Sequence, residues 1–124
     1  MSTSNLAILG CGNIGSAIAK GLAKSGMTPA DITLTHRKTE SLSELNQTGF
    51  QTSANNANAV QNSKIIFLTV GPSQLMDLLD EISSSLNADH LLISIVSGVS
   101  IAEIQEKVGK DIPIIRAMPN TAAV

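Results

Sequence analysis

Aromatic residues are scarce in this sequence: among 124 residues there are two phenylalanines and no tryptophan or tyrosine. Proteins that bind single-stranded nucleic acid stack its bases on aromatic side chains. The formal net charge of −2 also offers no basic surface for a phosphate backbone. We therefore expect no nucleic-acid partner. The single cysteine excludes an intramolecular disulfide. It is typical of a reducing compartment, so we expect a cytoplasmic protein.

Membrane and metal signals are missing as well. No apolar run approaches the roughly 18 residues that a membrane-spanning helix requires, and Met1–Asn5 lacks the basic start of a signal peptide. We expect no membrane contact. No Cys/His/Asp cluster has metal-ligand spacing and no serine stands in a nucleophile elbow. We thus predict no metal site, and the residues identify no catalytic group.

What the sequence does contain is an alternation of short apolar runs with segments of helical period. Runs of β-branched residues and leucine without polar alternation are typical of strands covered on both faces. The predicted strands are Leu6–Gly10, Ile32–Thr35, Ile65–Val70, Leu91–Val96 and Ile112–Ala117. Such alternation predicts an α/β fold with a doubly wound, mainly parallel sheet, and we treat residues 1–124 as one domain.

Helices are predicted between these strands. In the first helix, the residues on one stripe are expected to face the core: Ile14, Ala17, Ile18, Gly21 and Leu22. Gly26 has the position of a glycine that ends it, and Ser100 with Glu103 has the spacing of a capping box that opens the last helix. The remaining predicted helices are residues 39–46, 72–86 and 101–108, with a short extra one over Asn55–Val60.

A glycine-rich loop follows the first predicted strand and opens the first helix. It reads Gly10-Cys11-Gly12-Asn13-Ile14-Gly15. In a Rossmann-like domain the first glycine permits the tight turn, the second lets backbone approach a pyrophosphate, and the third lets helix and strand pack closely. The free N–H groups around Asn13 and Ile14 would then face the phosphates. We predict a dinucleotide site. A packing turn and a loop for another nucleotide-like ligand, such as S-adenosylmethionine, are the alternatives.

Cys11 has two interpretations. A helix N-terminus lowers the pKa of a thiol, which would suit a nucleophile. We favour the simpler interpretation, in which the residue between two loop glycines is small and lies against the cofactor.

The end of the second strand bears on the choice of dinucleotide. An Asp or Glu about 20 residues past the loop would bind the ribose 2′-hydroxyl of NAD, but the sequence there has His36, Arg37 and Lys38. A 2′-phosphate carries about −1.5 to −2 charge and would pair with these cations. The pattern favours NADP, with NAD possible and a solvated basic turn as the alternative.

Two further strand ends carry small residues that could line the same crevice, Gly71-Pro72-Ser73 and Ser97-Gly98-Val99. His90 is expected at the start of its strand, on the opposite edge of the sheet, and is a poor catalytic candidate. Asp77, Asp80 and Glu81 are expected on the solvated face of a helix.

The sequence resembles the pyrroline-5-carboxylate reductase family. The resemblance is carried by the glycine loop, by Ile65–Pro72, by Ser94–Val99 and above all by Arg116-Ala117-Met118-Pro119-Asn120-Thr121, which is similar to the family's R-x-M-P-N-T signature. It implies NAD(P)H-dependent reduction of the imine pyrroline-5-carboxylate to proline. It also implies a C-terminal helical domain, not contained in this chain, that forms a homo-oligomer and much of the substrate pocket.

By the family's pattern the cofactor would contact residues from every strand end already described. Asn120 and Thr121 would border the reacting centre. The cofactor residues implied are Leu9, Gly10, Cys11, Gly12, Asn13, Ile14, His36, Arg37, Asn56, Thr69, Val70, Gly71, Pro72, Ile95, Val96 and Ser97. Gly15 of the glycine loop and Lys38 of the basic turn complete the predicted cofactor residues.

Two positions depart from the family's pattern. Gly71 stands where a lysine is usual, and Ala122 where a proline is usual. The departures would fit a divergent member with a different imine or carbonyl substrate or with reduced activity, and Gly71 leaves a non-catalytic dinucleotide sensor open. Another NADP-dependent reductase with a similar N-terminal domain, such as a deazaflavin-dependent one, is a further hypothesis. On the leading hypothesis, the 124 residues alone bind cofactor and turn nothing over.

Overall fold

The computed structural model describes residues 5–117, which form one six-stranded sheet with helices on both faces. The strands are β1 (Leu6–Leu9), β2 (Ile32–Thr35), β3 (Gln51–Ser53), β4 (Ile65–Leu68), β5 (Leu91–Ser94) and β6 (Ile114–Arg116). The helices are α1 (Asn13–Lys24), α2 (Ser43–Gln47), α3 (Asn56–Gln61), α4 (Pro72–Ile82) and α5 (Ile101–Val108). Among these helices of residues 5–117, none has the length and apolar character needed to cross a membrane.

All strand pairs are parallel, in the order β3-β2-β1-β4-β5-β6. The chain winds outward from β1 in one direction through β2 and β3, then crosses back to β4 and winds in the other direction. The predicted doubly wound α/β fold is therefore confirmed. The reversal lies between β1 and β4, and ligands of such sheets bind beyond the carboxyl ends of the strands at this point.

The core lies in two layers because neighbouring residues of a strand face opposite sides of the sheet. Ala7 and Leu9 of β1 pack with α3, α4 and α5 on one face. Leu6 and Ile8 pack with α1 and the segment that contains α2 on the other. Burial of both faces is the reason why the central strands read as unbroken apolar runs.

The predicted elements are mostly present, with shorter bounds. Helix α5 begins after Ser100, whose hydroxyl accepts from the Glu103 N–H at 3.1 Å while the Glu103 carboxylate accepts from the Ser100 N–H at 3.1 Å. Hydrogen bonding of this carboxylate to the backbone N–H and then to the side chain of Ser100 lowers the pKa of the Glu103 carboxyl. The predicted capping box is confirmed, as is Gly26, which follows α1 with φ +116°.

The sequence misses one strand and misleads about part of one helix face. Strand β3 was not predicted because its sequence, Gln-Thr-Ser, is polar. Within residues 5–117 it is an edge strand that pairs with β2 alone, so nothing there requires an apolar run. The buried face of α1 was misplaced in part. Ile18 and Leu22 pack against the core as predicted. The fully buried residues, however, are Gly15 and Ala19, whereas Ile14 is 44% exposed and Ala17 and Gly21 face outward. The small residues face the sheet because α1 packs too closely for larger ones.

Candidate functional site

The glycine loop between β1 and α1 is shaped by one glycine with no room for a side chain and by a second that is tightly surrounded. Gly10 has φ +72°, and a Cβ atom there would lie 2.1 Å from Cγ1 of Val70. At Gly15 a Cβ atom would lie 3.1 Å from both Ile8 and Thr69 side-chain atoms. The turn at Gly10 therefore requires glycine. At Gly15 a larger residue would have to push its neighbours by a few tenths of an ångström, so glycine favours the close approach of α1 to the sheet.

Gly12 is different, because a Cβ atom there would meet nothing within 4 Å. Its φ of −104° is open to any residue, and the residue is exposed. The space beside it is thus outside the protein, at the start of α1, where the helix presents unpaired N–H groups. A pyrophosphate placed there could approach the backbone closely, as the sequence predicts.

Two threonines, one at the end of β2 and one just after β4, hold the loop in place. From β2, the Thr35 carbonyl accepts from the Cys11 N–H at 2.7 Å, and the Thr35 Oγ1 accepts from the Gly10 N–H at 3.1 Å. From the segment after β4, the Thr69 hydroxyl donates to the Leu9 carbonyl at 2.7 Å and approaches the Gly10 carbonyl at 3.1 Å. The loop is therefore bonded on both sides before any ligand binds.

A crevice of about 320 Å³ opens beyond the carboxyl ends of β1, β2 and β4, which is large enough for part of a nucleotide. Its lining comes from segments far apart in the sequence: Gly10, Thr35, His36, Arg37, Asn56, Val70, Gln74, Asp77, Leu78 and Glu81. Five of these, Gly10, His36, Arg37, Asn56 and Val70, are predicted site residues. The structure brings them together at the switch point of the sheet.

One wall of this crevice is basic. Arg37 is exposed and lines it, beside His36. The His36 Nδ1 accepts from the Lys38 N–H at 3.0 Å, so the proton of the neutral ring is on Nε2. Lys38 itself does not line the crevice and contributes its backbone to shaping the turn. Of the two cations considered, Arg37 is the better placed.

The opposite wall is acidic, and the sequence interpretation missed its role. Asp77 and Glu81 of α4 are solvent-exposed, as expected, but their face of the helix lines the crevice together with Gln74 and Leu78. Asp80 points elsewhere and pairs with Lys107 at 3.0 Å. The i, i+4 spacing of Asp77 and Glu81 could have indicated a shared face. Ionised carboxylates only accept hydrogen bonds, so this wall suits amino or hydroxyl groups.

Cys11 is not a reactive thiol in this structure. It is 2% exposed and packs with the core on the α1 side of the sheet. Burial raises the pKa of its thiol, and a contact with the Ser16 hydroxyl at 3.6 Å opposes this only in part. A cysteine nucleophile needs a lowered pKa and access. The Cys11 side chain turns inward, so any contact of this small residue with a cofactor would come from its backbone, and that contact stays a prediction.

The other predicted residues lie around the same end of the sheet without lining this crevice. Asn13, Ile14 and Ser97 are exposed, while Leu9, Ile95 and Val96 are buried. Gly71 is the N-cap of α4 and Pro72 its first residue. The predictions at Met118–Thr121, including Asn120 and Thr121, and at Ala122 lie outside the described residues.

His90 is at the amino end of β5, far from the crevice in the sheet, as the sequence predicts. It is 6% exposed. Its Nδ1 accepts from the Asn87 N–H at 3.0 Å and its Nε2 lies 2.9 Å from the Val60 carbonyl. Both ring nitrogens are thus satisfied, and the residue has a structural role.

The glycine loop, the switch point and the crevice together define a Rossmann-type nucleotide-binding domain. A family model described as NADP oxidoreductase, coenzyme F420-dependent, matches residues 5–98, and the chain belongs to this family.

Relatives support the resemblance to pyrroline-5-carboxylate reductases. Pyrroline-5-carboxylate reductase 1 of Dictyostelium discoideum is 46% identical over 120 residues, covering 96% of this chain and 22% of the relative. The structure of the Coxiella burnetii pyrroline-5-carboxylate reductase matches with a TM-score of 0.91 and 33% identity over 97% of this chain and 45% of that one.

The Plasmodium falciparum pyrroline carboxylate reductase, solved with NADP bound, has a TM-score of 0.84 and is 28% identical, covering 98% of this chain and 44% of that one. The resemblance stated from the sequence is therefore confirmed. The chain spans less than half the length of each of these proteins.

Substitution of Gly10 and Gly12 by alanine should separate folding from binding. Because of its positive φ and the contact with Val70, we expect Gly10→Ala to lower the free energy of unfolding by about 1–3 kcal/mol. Because a Cβ atom at Gly12 meets no other atom within 4 Å, Gly12→Ala should lower the free energy of unfolding by less than about 1 kcal/mol. Nucleotide affinity should fall in Gly12→Ala, because its methyl group occupies the space beside the loop. Urea unfolding measures the free energy of unfolding of each variant, and calorimetric titration with NADPH measures its affinity. Full affinity in Gly12→Ala would contradict the placement of the pyrophosphate.

Proposed function

We propose that residues 1–124 form the cofactor-binding domain of an NADP-dependent pyrroline-5-carboxylate reductase, which reduces the imine to proline. The observation that carries this proposal is the 46% identity to the Dictyostelium enzyme over 96% of the chain. The crevice supports it, because Gly10 of the glycine loop, the cation Arg37 and the hydrogen-bond acceptors Asp77 and Glu81 line one space.

In this proposal the bound NADPH supplies hydride, and the chain supplies orientation and electrostatics. The loop at Gly12 and the start of α1 would hold the pyrophosphate. Arg37 would hold the 2′-phosphate, and the carboxylates of Asp77 and Glu81 would accept from donors on the adenosine. Cys11 is buried and takes no part in proton transfer. Polypeptide outside these residues would supply the general acid and most of the substrate pocket.

The proposal also covers the substrate, the compartment and the oligomeric state of the complete protein. The complete protein would act on a small molecule in the cytoplasm. It would form a homo-oligomer through polypeptide beyond this domain, as the resemblance implies.

A second candidate function is hydride exchange between NADP and a deazaflavin. The description of the matching family, a coenzyme F420-dependent NADP oxidoreductase, favours it. The R-x-M-P-N-T-like segment that begins at Arg116 favours the imine reductase. The two functions share the NADP site and differ in the second reactant.

Substrate turnover distinguishes these candidates. A full-length protein that contains this chain should oxidise NADPH when given pyrroline-5-carboxylate and release proline. It should not reduce F420 with NADPH. A polypeptide of residues 1–124 should bind NADPH and leave both substrates unchanged. Consumption of F420 without proline formation would establish the second candidate, and binding without either reaction in the full-length protein would indicate a sensor.

The basic wall predicts the choice between dinucleotides. We expect Arg37→Ala to weaken NADPH binding about 10–100-fold, since a charge-assisted hydrogen bond contributes about 1.5–3 kcal/mol. NADH binding should change little because it lacks the 2′-phosphate. Lys38→Ala should have a smaller effect. Lys64→Ala, at the amino end of β4, is the matched control and should have none. Calorimetry at one salt concentration measures the NADPH and NADH affinities of the original protein and the three variants. Equal losses of NADPH and NADH affinity in Arg37→Ala would refute the assignment of Arg37 to the 2′-phosphate.

The departure at Gly71 predicts a gain of affinity. Gly71 has φ −71°, and a Cβ atom there would meet only the Gln74 Oε1 at 3.7 Å. A lysine therefore fits without strain and would add a cation beside the crevice. We expect Gly71→Lys to fold normally and to bind NADPH several-fold more tightly at low salt. Because screening weakens such an attraction, the gain should shrink as salt is added. Gly71→Gln is the uncharged control, and an equal gain in it would show that charge is not the cause.

A further inference from the structure

Thr35, the last residue of β2, connects the glycine loop to Asn56 at the start of α3. It is 1% exposed and lines the inner end of the crevice. Its Oγ1 accepts from the Gly10 N–H at 3.1 Å and is in hydrogen-bond contact with the Asn56 Oδ1. One hydroxyl group therefore touches two predicted site residues that are 46 positions apart in the sequence.

The number of available protons fixes the direction of these bonds. A backbone N–H can only donate, so Thr35 is the acceptor toward Gly10. The hydroxyl has one proton, and among residues 5–117 its remaining partner is the Asn56 side chain. If the Asn56 amide were reversed, that proton would be left without an acceptor in a buried position, which is costly. The Thr35 hydroxyl therefore donates to Oδ1.

This direction determines what Asn56 offers to a ligand. With Oδ1 turned to Thr35, the Nδ2 group points away from it, and Nδ2 has no hydrogen-bond partner among the residues that the structure describes. Asn56 is half-buried and lines the crevice. It thus presents two unpaired N–H donors to whatever binds there.

We propose that Thr35 is a positioning residue, which fixes the Asn56 amide with its donors toward the crevice so that they bind an acceptor oxygen of the nucleotide, either a phosphate or a ribose oxygen. The inference rests on the proposed function, because it takes the ligand to be a dinucleotide. Thr35 needs no contact with the nucleotide for this role.

Two substitutions of Thr35 test the role of the hydroxyl. Thr35→Val has nearly the same shape but can neither accept from Gly10 nor donate to Asn56. We expect it to weaken NADPH binding about tenfold, the effect of losing one well-placed hydrogen bond. Thr35→Ser keeps the hydroxyl and should bind within about threefold of the original protein. Thermal unfolding should confirm that both variants fold. Equal losses in valine and serine variants would show a packing role only.

A double-mutant cycle tests whether Thr35 acts through Asn56. Asn56→Ala should weaken NADPH binding. The double variant Thr35→Val/Asn56→Ala should have about the same NADPH affinity as whichever single variant binds NADPH more weakly. Such non-additivity is the signature of coupled residues. If the two losses add, Thr35 acts on the ligand by another route, such as the Gly10 N–H, and the proposal fails.

Nuclear magnetic resonance of the ligand-free chain tests the orientation without any nucleotide. The side-chain amide signals of Asn56, identified by their loss in Asn56→Ala, should shift in Thr35→Val and stay in place in Thr35→Ser. The Thr35 hydroxyl proton should be protected from exchange and lose this protection in Asn56→Ala. Amide signals unchanged by Thr35→Val would overturn the proposal. The expected shifts in a chain that binds neither NADPH nor NADH would uphold the orientation and refute the proposed function alone.

Discussion

The contact between the glycine loop and the strands beside it is the constraint on which the site depends. Gly10 turns the chain with no space for a Cβ atom, and Gly15 brings α1 against the sheet. The backbone groups exposed by this turn are then bonded by Thr35 from one side and Thr69 from the other. Because the helix start is fixed by core contacts and not by a ligand, its N–H groups are arranged before binding. Preorganisation of this kind reduces the entropy that binding must overcome.

The sheet order explains why residues so distant in sequence share one crevice. Strand β1 has β2 on one side and β4 on the other. The segments that follow these strands therefore leave the sheet in opposite directions, and the gap between them is the crevice. The basic wall follows β2, and the acidic wall belongs to α4 after β4. The asymmetry of charge thus comes from topology: each wall is one short segment with its own composition, although the chain as a whole is close to neutral.

The sequence predicts most of this arrangement because its central strands are buried on both faces and therefore apolar. It does not predict β3, because an edge strand with one partner can be polar. It also misplaces part of the buried face of α1, since the usual rule puts large apolar residues inward, whereas the most closely packed positions here are Gly15 and Ala19. The glycine loop, His36, Arg37 and Asn56 can be located from sequence pattern and resemblance. The acidic wall and the role of Thr35 cannot, because both depend on which side chains meet across the switch point.

Recognition of a 2′-phosphate by this crevice would rely on few groups. Among the residues that the structure describes, Arg37 is the one arginine or lysine that lines it. Gly71, where related reductases are expected to have a lysine, has an ordinary φ and open space around its Cα atom. No backbone requirement therefore explains the glycine, so the missing cation is a difference in electrostatics and not in fold. The acidic wall makes the missing cation matter more for NADP binding, because Asp77 and Glu81 repel any phosphate that is not held by Arg37. Selectivity for NADP would then depend on a single cation and on how firmly the turn at His36 holds it in place.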